Sequence, residues 1–193
     1  LVVDDEIRVT VAAQACLLLL SRRSDYFGEL RQILVYPGAF VVDRVKAEPS
    51  GVLQDQRQAL AGESWSQGQV ILSWPDAVEG AAVPHDGRNV VIHEFAHQLD
   101  QEKGQANGAP WQAGRRKRER WAQVFAREYS ALRLRAARGE ASLLSDYGAT
   151  DPAEFFAVAS EVFFEQPQQL AAEHAELYAQ LSGYYRVNPL SWS

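Results

Sequence analysis

The sequence predicts an α+β fold, and three observations carry it. Short β-rich runs at 33–36, 40–45 and 69–74 lie in the first half of the chain. A helical pattern precedes them, and apolar residues at helical spacing dominate from residue 89 onward. The chain has 193 residues, 47% hydrophobic and 23% charged. That is ordinary globular composition, with enough length for one domain with a substantial core.

The first helix is expected over about 5–23. Asp4, Asp5 and Glu6 suit the positive end of a helix dipole, and Ala12, Ala15, Cys16, Leu19 and Leu20 are expected to face inward. The apolar run 9–20 is interrupted by Thr10 and Gln14 and is too short to span a bilayer. Acids stand ahead of it, where a signal peptide carries positive charge. Pro37 and Gly38 mark a turn between the first two strands. The polar stretch 46–62 reads as loop. The strand 69–74 ends at Pro75, and 76–89, with Gly80, Pro84 and Gly87, reads as a connecting loop.

A helix follows from Asn89, a suitable N-cap, to about Lys103, with Gly104 past its end. A long helix runs from Trp111 or Ala113 to Arg138 and is ended by Gly139. Within it Trp121, Val124, Phe125, Tyr129 and Leu132 recur at helical spacing. The basic run 115–120 reads as a solvated helix start rather than a site for an anionic partner. A connection over 143–150 contains Tyr147. Asp151 as N-cap and Pro152 as first helical residue start the next helix, which reaches about Phe164. One more helix is expected over 167–181. The tail, 184–193, should pack back through its aromatic residues.

Net charge is −6, which argues against a general nucleic-acid binder. Cys16 is the one cysteine, so no internal disulfide is possible and a reducing compartment is expected. Methionine is absent even at position 1. We therefore expect a piece of a longer or processed protein.

The chemistry lies in the helix from Asn89. His93 and His97 are one helical turn apart and point the same way, so two imidazoles can grip one zinc ion. Glu94 sits beside them, where a zinc peptidase keeps its general base. Val90, Val91, Ile92, Phe95, Ala96 and Leu99 make this a buried helix. Buried ionisable groups are costly unless something pairs with them, and a metal is the simplest partner. The plain alternative, a surface helix with two spare histidines, fits those apolar flanks poorly.

A catalytic zinc takes three protein ligands and leaves one position open. His85 and His174 are not at the short downstream spacing of a three-histidine motif, so the search moves to acids. Glu154 and Glu161 are the candidates, two turns apart on nearly one face. Glu154 is favoured because a ligand near a helix start is easily aimed into a cleft, although Asp151 and Glu154 also resemble a capping box. Asp100 either holds an imidazole N–H or ends its helix. On spacing alone Tyr147 is a packed aromatic.

The chain resembles the Mlc titration factor A family of bacterial zinc peptidases, itself similar to the catalytic domain of anthrax lethal factor. The resemblance rests on residues 33–42, on 63–68 followed by 70–74, on the His93 to Asp100 segment, and on the Tyr147 to Val158 segment. It implies one zinc ion held by His93, His97 and Glu154, with Glu94 as general base. It raises Tyr147 to a transition-state donor. It implies a single zincin-like domain over 1–193, without the N-terminal segment that family members carry. In that fold a small mixed sheet packs on the active-site helix, the strand at 70–74 borders the cleft, and a substrate peptide could add to it as a further strand. It also implies a cytoplasmic peptidase with aminopeptidase-like activity toward peptide or protein substrates. The best-known member binds the glucose repressor Mlc. The alternative role is therefore sequestration of a transcriptional repressor, with peptidase activity secondary. No nucleic-acid or membrane partner is expected.

Overall fold

The computed structural model describes residues 1–22, 27–47, 53–60, 62–65 and 68–192. Helix α1 spans Asp5–Leu17, and the Asp4 carboxylate caps it by accepting the Ile7 N–H. It is shorter than the sequence suggests, and residue 23 lies outside the described residues. Its inward face also differs. Ile7, Val11, Gln14, Ala15, Leu18 and Leu19 are buried, whereas Ala12, Cys16 and Leu20 are exposed. Ile7, Val11, Gln14, Ala15 and Leu18 follow i, i+4, i+7, i+8, i+11, so the true stripe includes a glutamine that apolar counting passes over. Gln14 belongs inside because its amide donates to the Ala77 carbonyl at 3.1 Å.

Strand β1 (Gln32–Tyr36) pairs in parallel with β5 (Gln69–Ser73), and β4 (Gly62–Trp65) pairs antiparallel with the other side of β5. The sheet order is thus β1-β5-β4. Strand β2 (Phe40–Ala47) pairs instead with β3 (Leu53–Leu60) in a separate antiparallel ribbon. Much of the stretch 46–62, expected as loop, is therefore strand; 48–52 and 61 lie outside the described residues, as do 66 and 67. The 69–74 strand is not the cleft-side edge that the resemblance implies. It is the central strand, with Val70, Ile71, Leu72 and Ser73 all buried. A continuous apolar run is what a strand covered on both faces requires.

The stretch 76–89 is not all loop either. Helix α2 occupies Trp74–Ala82, because Pro75, which ends the strand, also suits the first turn of a helix, with Asp76 beside it. Helix α3 (Val90–Gln101) is buried along nearly its whole length and packs on α5 (Pro152–Glu165). Helix α4 (Arg115–Arg138) begins after Trp111, which is about half exposed, and ends at Gly139 in the left-handed region at φ 65°. The basic run at its start is exposed. A 3-10 turn, Asp146–Ala149, carries Tyr147 into the start of α5.

The single helix expected over 167–181 is two. Helices α6 (Pro167–Glu173) and α7 (Ala175–Tyr185) break at His174, which leaves helical geometry at φ −132° and turns its ring to Glu128. The tail does pack back. Tyr184 and Tyr185 are buried, and Trp192 stacks on Phe164. Trp121, Phe125, Phe155, Phe156 and Tyr185 fill the core between α4, α5 and α7. Among the described residues no helix is long and apolar enough to cross a membrane.

Candidate metal centre

Helix α3 is started by Asn89, whose side-chain oxygen accepts the Ile92 N–H at 3.0 Å. That cap fixes where the helix begins, and so fixes His93 and His97 on one edge of it. Their rings lie 4.9 Å apart, edge to face. Helix α5 is started by Asp151, which accepts the Ala153 and Glu154 N–H groups. With its own N–H held there, Glu154 sends its carboxylate across to α3. Glu154 Oε2 lies 2.9 Å from His93 Nε2 and 3.4 Å from His97 Nε2. The ligand atoms of the three residues all lie within 4.8 Å of one another.

Of the two acids left open by the sequence, Glu154 joins both imidazoles. Glu161 is 2.7 Å from His93 Nδ1, the far side of the ring, and its other oxygen accepts the Asn89 N–H at 2.6 Å. Burial disfavours a charged His93, yet Glu161 and Glu154 outweigh it and hold the ring above its ordinary pKa. Burial also works against Glu154, but its bonds to His93 and His97 hold it well below the usual carboxylate range.

Glu94 is buried and lies beside this cluster. Burial pushes its carboxyl up to about 7, against the nearby imidazoles. Its Oε2 has no hydrogen-bond partner among the described residues. Glycine at 62, on β4, leaves it room, because a Cβ there would sit 2.5 Å from Glu94 Oε1 and 2.7 Å from Val90 Cγ2. Two nitrogens, one carboxylate oxygen and an unsatisfied acid suit zinc better than a hard cation, which takes mostly oxygen. The donor set therefore fits the metal.

Tyr147 is 39% exposed, with its ring 5.9 Å from that of His93. It lines two adjoining hollows that share Gly62, His93 and Glu94. One of them, of about 420 Å³, is walled by Gly62, Glu63 and Ser64 of β4 and by His97 and Glu154. Strand β4, not β5, borders the cleft. Gln98 ties it to α3 by donating to Ser64 Oγ at 2.7 Å. Asp100 lies in the last turn of α3 and makes no hydrogen bond to an imidazole among the described residues. Its Oδ2 accepts the Asn107 and Gly108 N–H groups at 2.7 and 2.6 Å and so holds the loop after α3.

Sequence reasoning passed over Gly62, inside a supposed loop, and Glu165. The latter had a signal: Glu154, Glu161 and Glu165 follow i, i+7, i+11 along α5. Glu165 accepts from Asn89 Nδ2 and from the Arg88 N–H, each at 3.0 Å. Burial, aided by Asp86 and opposed by the Asn89 bond, pushes its carboxyl up to about 8, against 4.5 ordinarily. A folded pKa above the unfolded one stabilises the fold below about pH 4.5. That contribution is lost as pH rises through 8. Glu165→Gln keeps a neutral side chain of the same shape and should flatten the decline. A Tm at pH 9 several degrees above the parent's is expected, at about 2–4 °C per kcal/mol. Parallel Tm curves for parent and variant across pH 5–9 would contradict it.

His93, His97 and Glu154 form a cluster that could hold a metal ion, beside the buried acid Glu94. The comparisons give the family: the chain belongs to the glucose-regulated metallo-peptidases M90, whose family model matches residues 1–186. Its relatives include the uncharacterized protein slr2042 of Synechocystis sp., 42% identical over 98% of this chain and 69% of that protein. Mlc titration factor A of Escherichia fergusonii is 34% identical over 93% of this chain and 68% of its own length. Mlc titration factor A of Cronobacter sakazakii is 34% identical over 96% and 71%. The family makes the chain a metallopeptidase.

Proposed function

We propose that the chain is a zinc-dependent peptidase with a single zincin-like domain, in which His93, His97 and Glu154 hold the ion and Glu94 is the general base. The observation that carries this is the convergence of those three side chains within 4.8 Å, next to a buried acid with a free oxygen. Bound zinc would supply a Lewis acid for the scissile carbonyl and lower the pKa of the attacking water. Glu94 takes the proton of that water and passes it to the leaving amine. The Tyr147 phenol donates to the developing oxyanion. Strand β4 has β5 on one side, and a substrate peptide extends the sheet on the other. Aminopeptidase-like preference and a cytoplasmic location rest on the family resemblance.

The test is turnover of an amino-terminal peptide substrate. We expect activity lost on chelation and restored by one equivalent of zinc. Activity that persists in the fully chelated protein would sink the reading. Gly62 gives a second check. Gly62→Ala crowds Glu94 without touching a ligand, so kcat should fall roughly a hundredfold with zinc content unchanged. An unchanged kcat would mean that the base has freedom the packing does not suggest.

The name Mlc titration factor A, carried by relatives, favours a second reading: capture of a transcriptional repressor. A pull-down with the Glu94→Gln protein separates the two. Undiminished capture of the repressor without turnover makes binding independent of catalysis.

A further inference from the structure

We propose that Glu161 is the positioning residue of the metal site, an inference that rests on reading His93 and Glu154 as ligands. Both of its oxygens are engaged. Oε1 faces His93 Nδ1 at 2.7 Å, and Oε2 accepts the backbone N–H of Asn89 at 2.6 Å. It is therefore no rival ligand. Carboxylates meet both ring nitrogens, so Nε2–H donates to Glu154 as Nδ1–H does to Glu161. When an ion takes the place of the Nε2 proton, the Glu161 bond keeps the proton on Nδ1 and leaves the Nε2 lone pair for the metal. The carboxylate is itself immobile, because it is buried and held by the first peptide of the cap that starts α3.

The geometry locks two helices in one register. Glu154 and Glu161 leave the same face of α5, two turns apart, and the His93 ring is held between them. Glu165, a turn further on, grips Asn89 and Arg88 but does not reach the ring. His93 is thus aimed before any ion arrives. Asp100, on the last turn of α3, spends Oδ2 on the Asn107 and Gly108 N–H groups and makes no hydrogen bond to His93.

The test is zinc affinity, measured by competition with a chromophoric chelator, for the parent, Glu161→Ala, Glu161→Gln and Glu165→Gln. Glu161→Ala should weaken zinc about 10- to 100-fold. Glu161→Gln has the same shape and keeps the fold, yet its amide must aim N–H at either His93 or the Asn89 N–H. It should weaken zinc as well. Glu165→Gln removes the titratable charge of the neighbouring acid on the same face of α5, which grips Asn89 and Arg88 but not the ring, and should stay within twofold of the parent. NMR of the zinc-loaded parent should show a far-downfield His93 Nδ1–H resonance, and that signal should vanish in Glu161→Ala. If Glu161→Ala does not fold, the Gln variant decides. Parent-like zinc affinity in the Glu161 variants overturns the proposal, as does an equal loss in Glu165→Gln. A parent that binds no zinc overturns the ligand reading itself, which is a different failure.

Discussion

Replacing Glu94 by Gln will leave zinc bound and lower kcat by a hundred- to ten-thousand-fold, about what a positioned general base contributes. The two side chains have one shape, so the cleft keeps its walls. Gly62 opposite leaves no slack for a larger group, and Val90 closes the same side. What changes is that a carboxamide cannot accept the proton of an attacking water. Glu94 is suited to that work because Oε2 is buried and makes no hydrogen bond among the described residues. It does not belong to the three-residue cluster, so metal content should not move. Zinc by elemental analysis and kcat on one peptide substrate, measured on the same preparation, check both halves. Parent-like kcat would remove Glu94 from proton transfer. A metal-free variant would make it a ligand instead.

The half of the site carried by α3 was legible because it is local. Histidines one turn apart, an acid beside the first, apolar flanks and Asn89 as cap all lie within one helix. Asp151 and Pro152 marked the start of α5 for the same reason. The proposed third ligand is different in kind. It lies 61 residues from His93, and Glu154 and Glu161 share a face of α5. No local pattern distinguishes the acid meeting Nε2 from the one meeting Nδ1; the packing of α5 on α3 decides that. Strands β3 and β4 were invisible because they lack apolar alternation. Their pairing, Gly62 with Leu72 for instance, is set by a distant partner. The edge of the cleft, β4, therefore has no signal in the sequence, and the resemblance alone places the 70–74 strand there. Gln14 misled for the opposite reason. A buried glutamine looks like an outward position until its partners, Ala77 and Asn89, come into view.

Glu154→Ala will lose zinc outright, whereas Glu161→Ala will still fill with one equivalent when zinc is in excess. The difference follows from what each acid touches. Glu154 Oε2 meets both imidazoles, so its removal takes one of the three proposed ligands and leaves two nitrogens on a single helix. A binding free energy of about 12 kcal/mol shared among three ligands would fall by about 4 kcal/mol, or a thousandfold. Such a site empties on dialysis. Glu161 reaches only the outer nitrogen of one ring, so its loss costs affinity but not a ligand. Dialysed and zinc-saturated samples of both variants, analysed for metal beside the parent, distinguish the two. The reverse result, with Glu154→Ala retaining zinc and Glu161→Ala empty, would move the third ligand two turns along α5. The whole cleft would then have to be redrawn around the Asn89 end of α3.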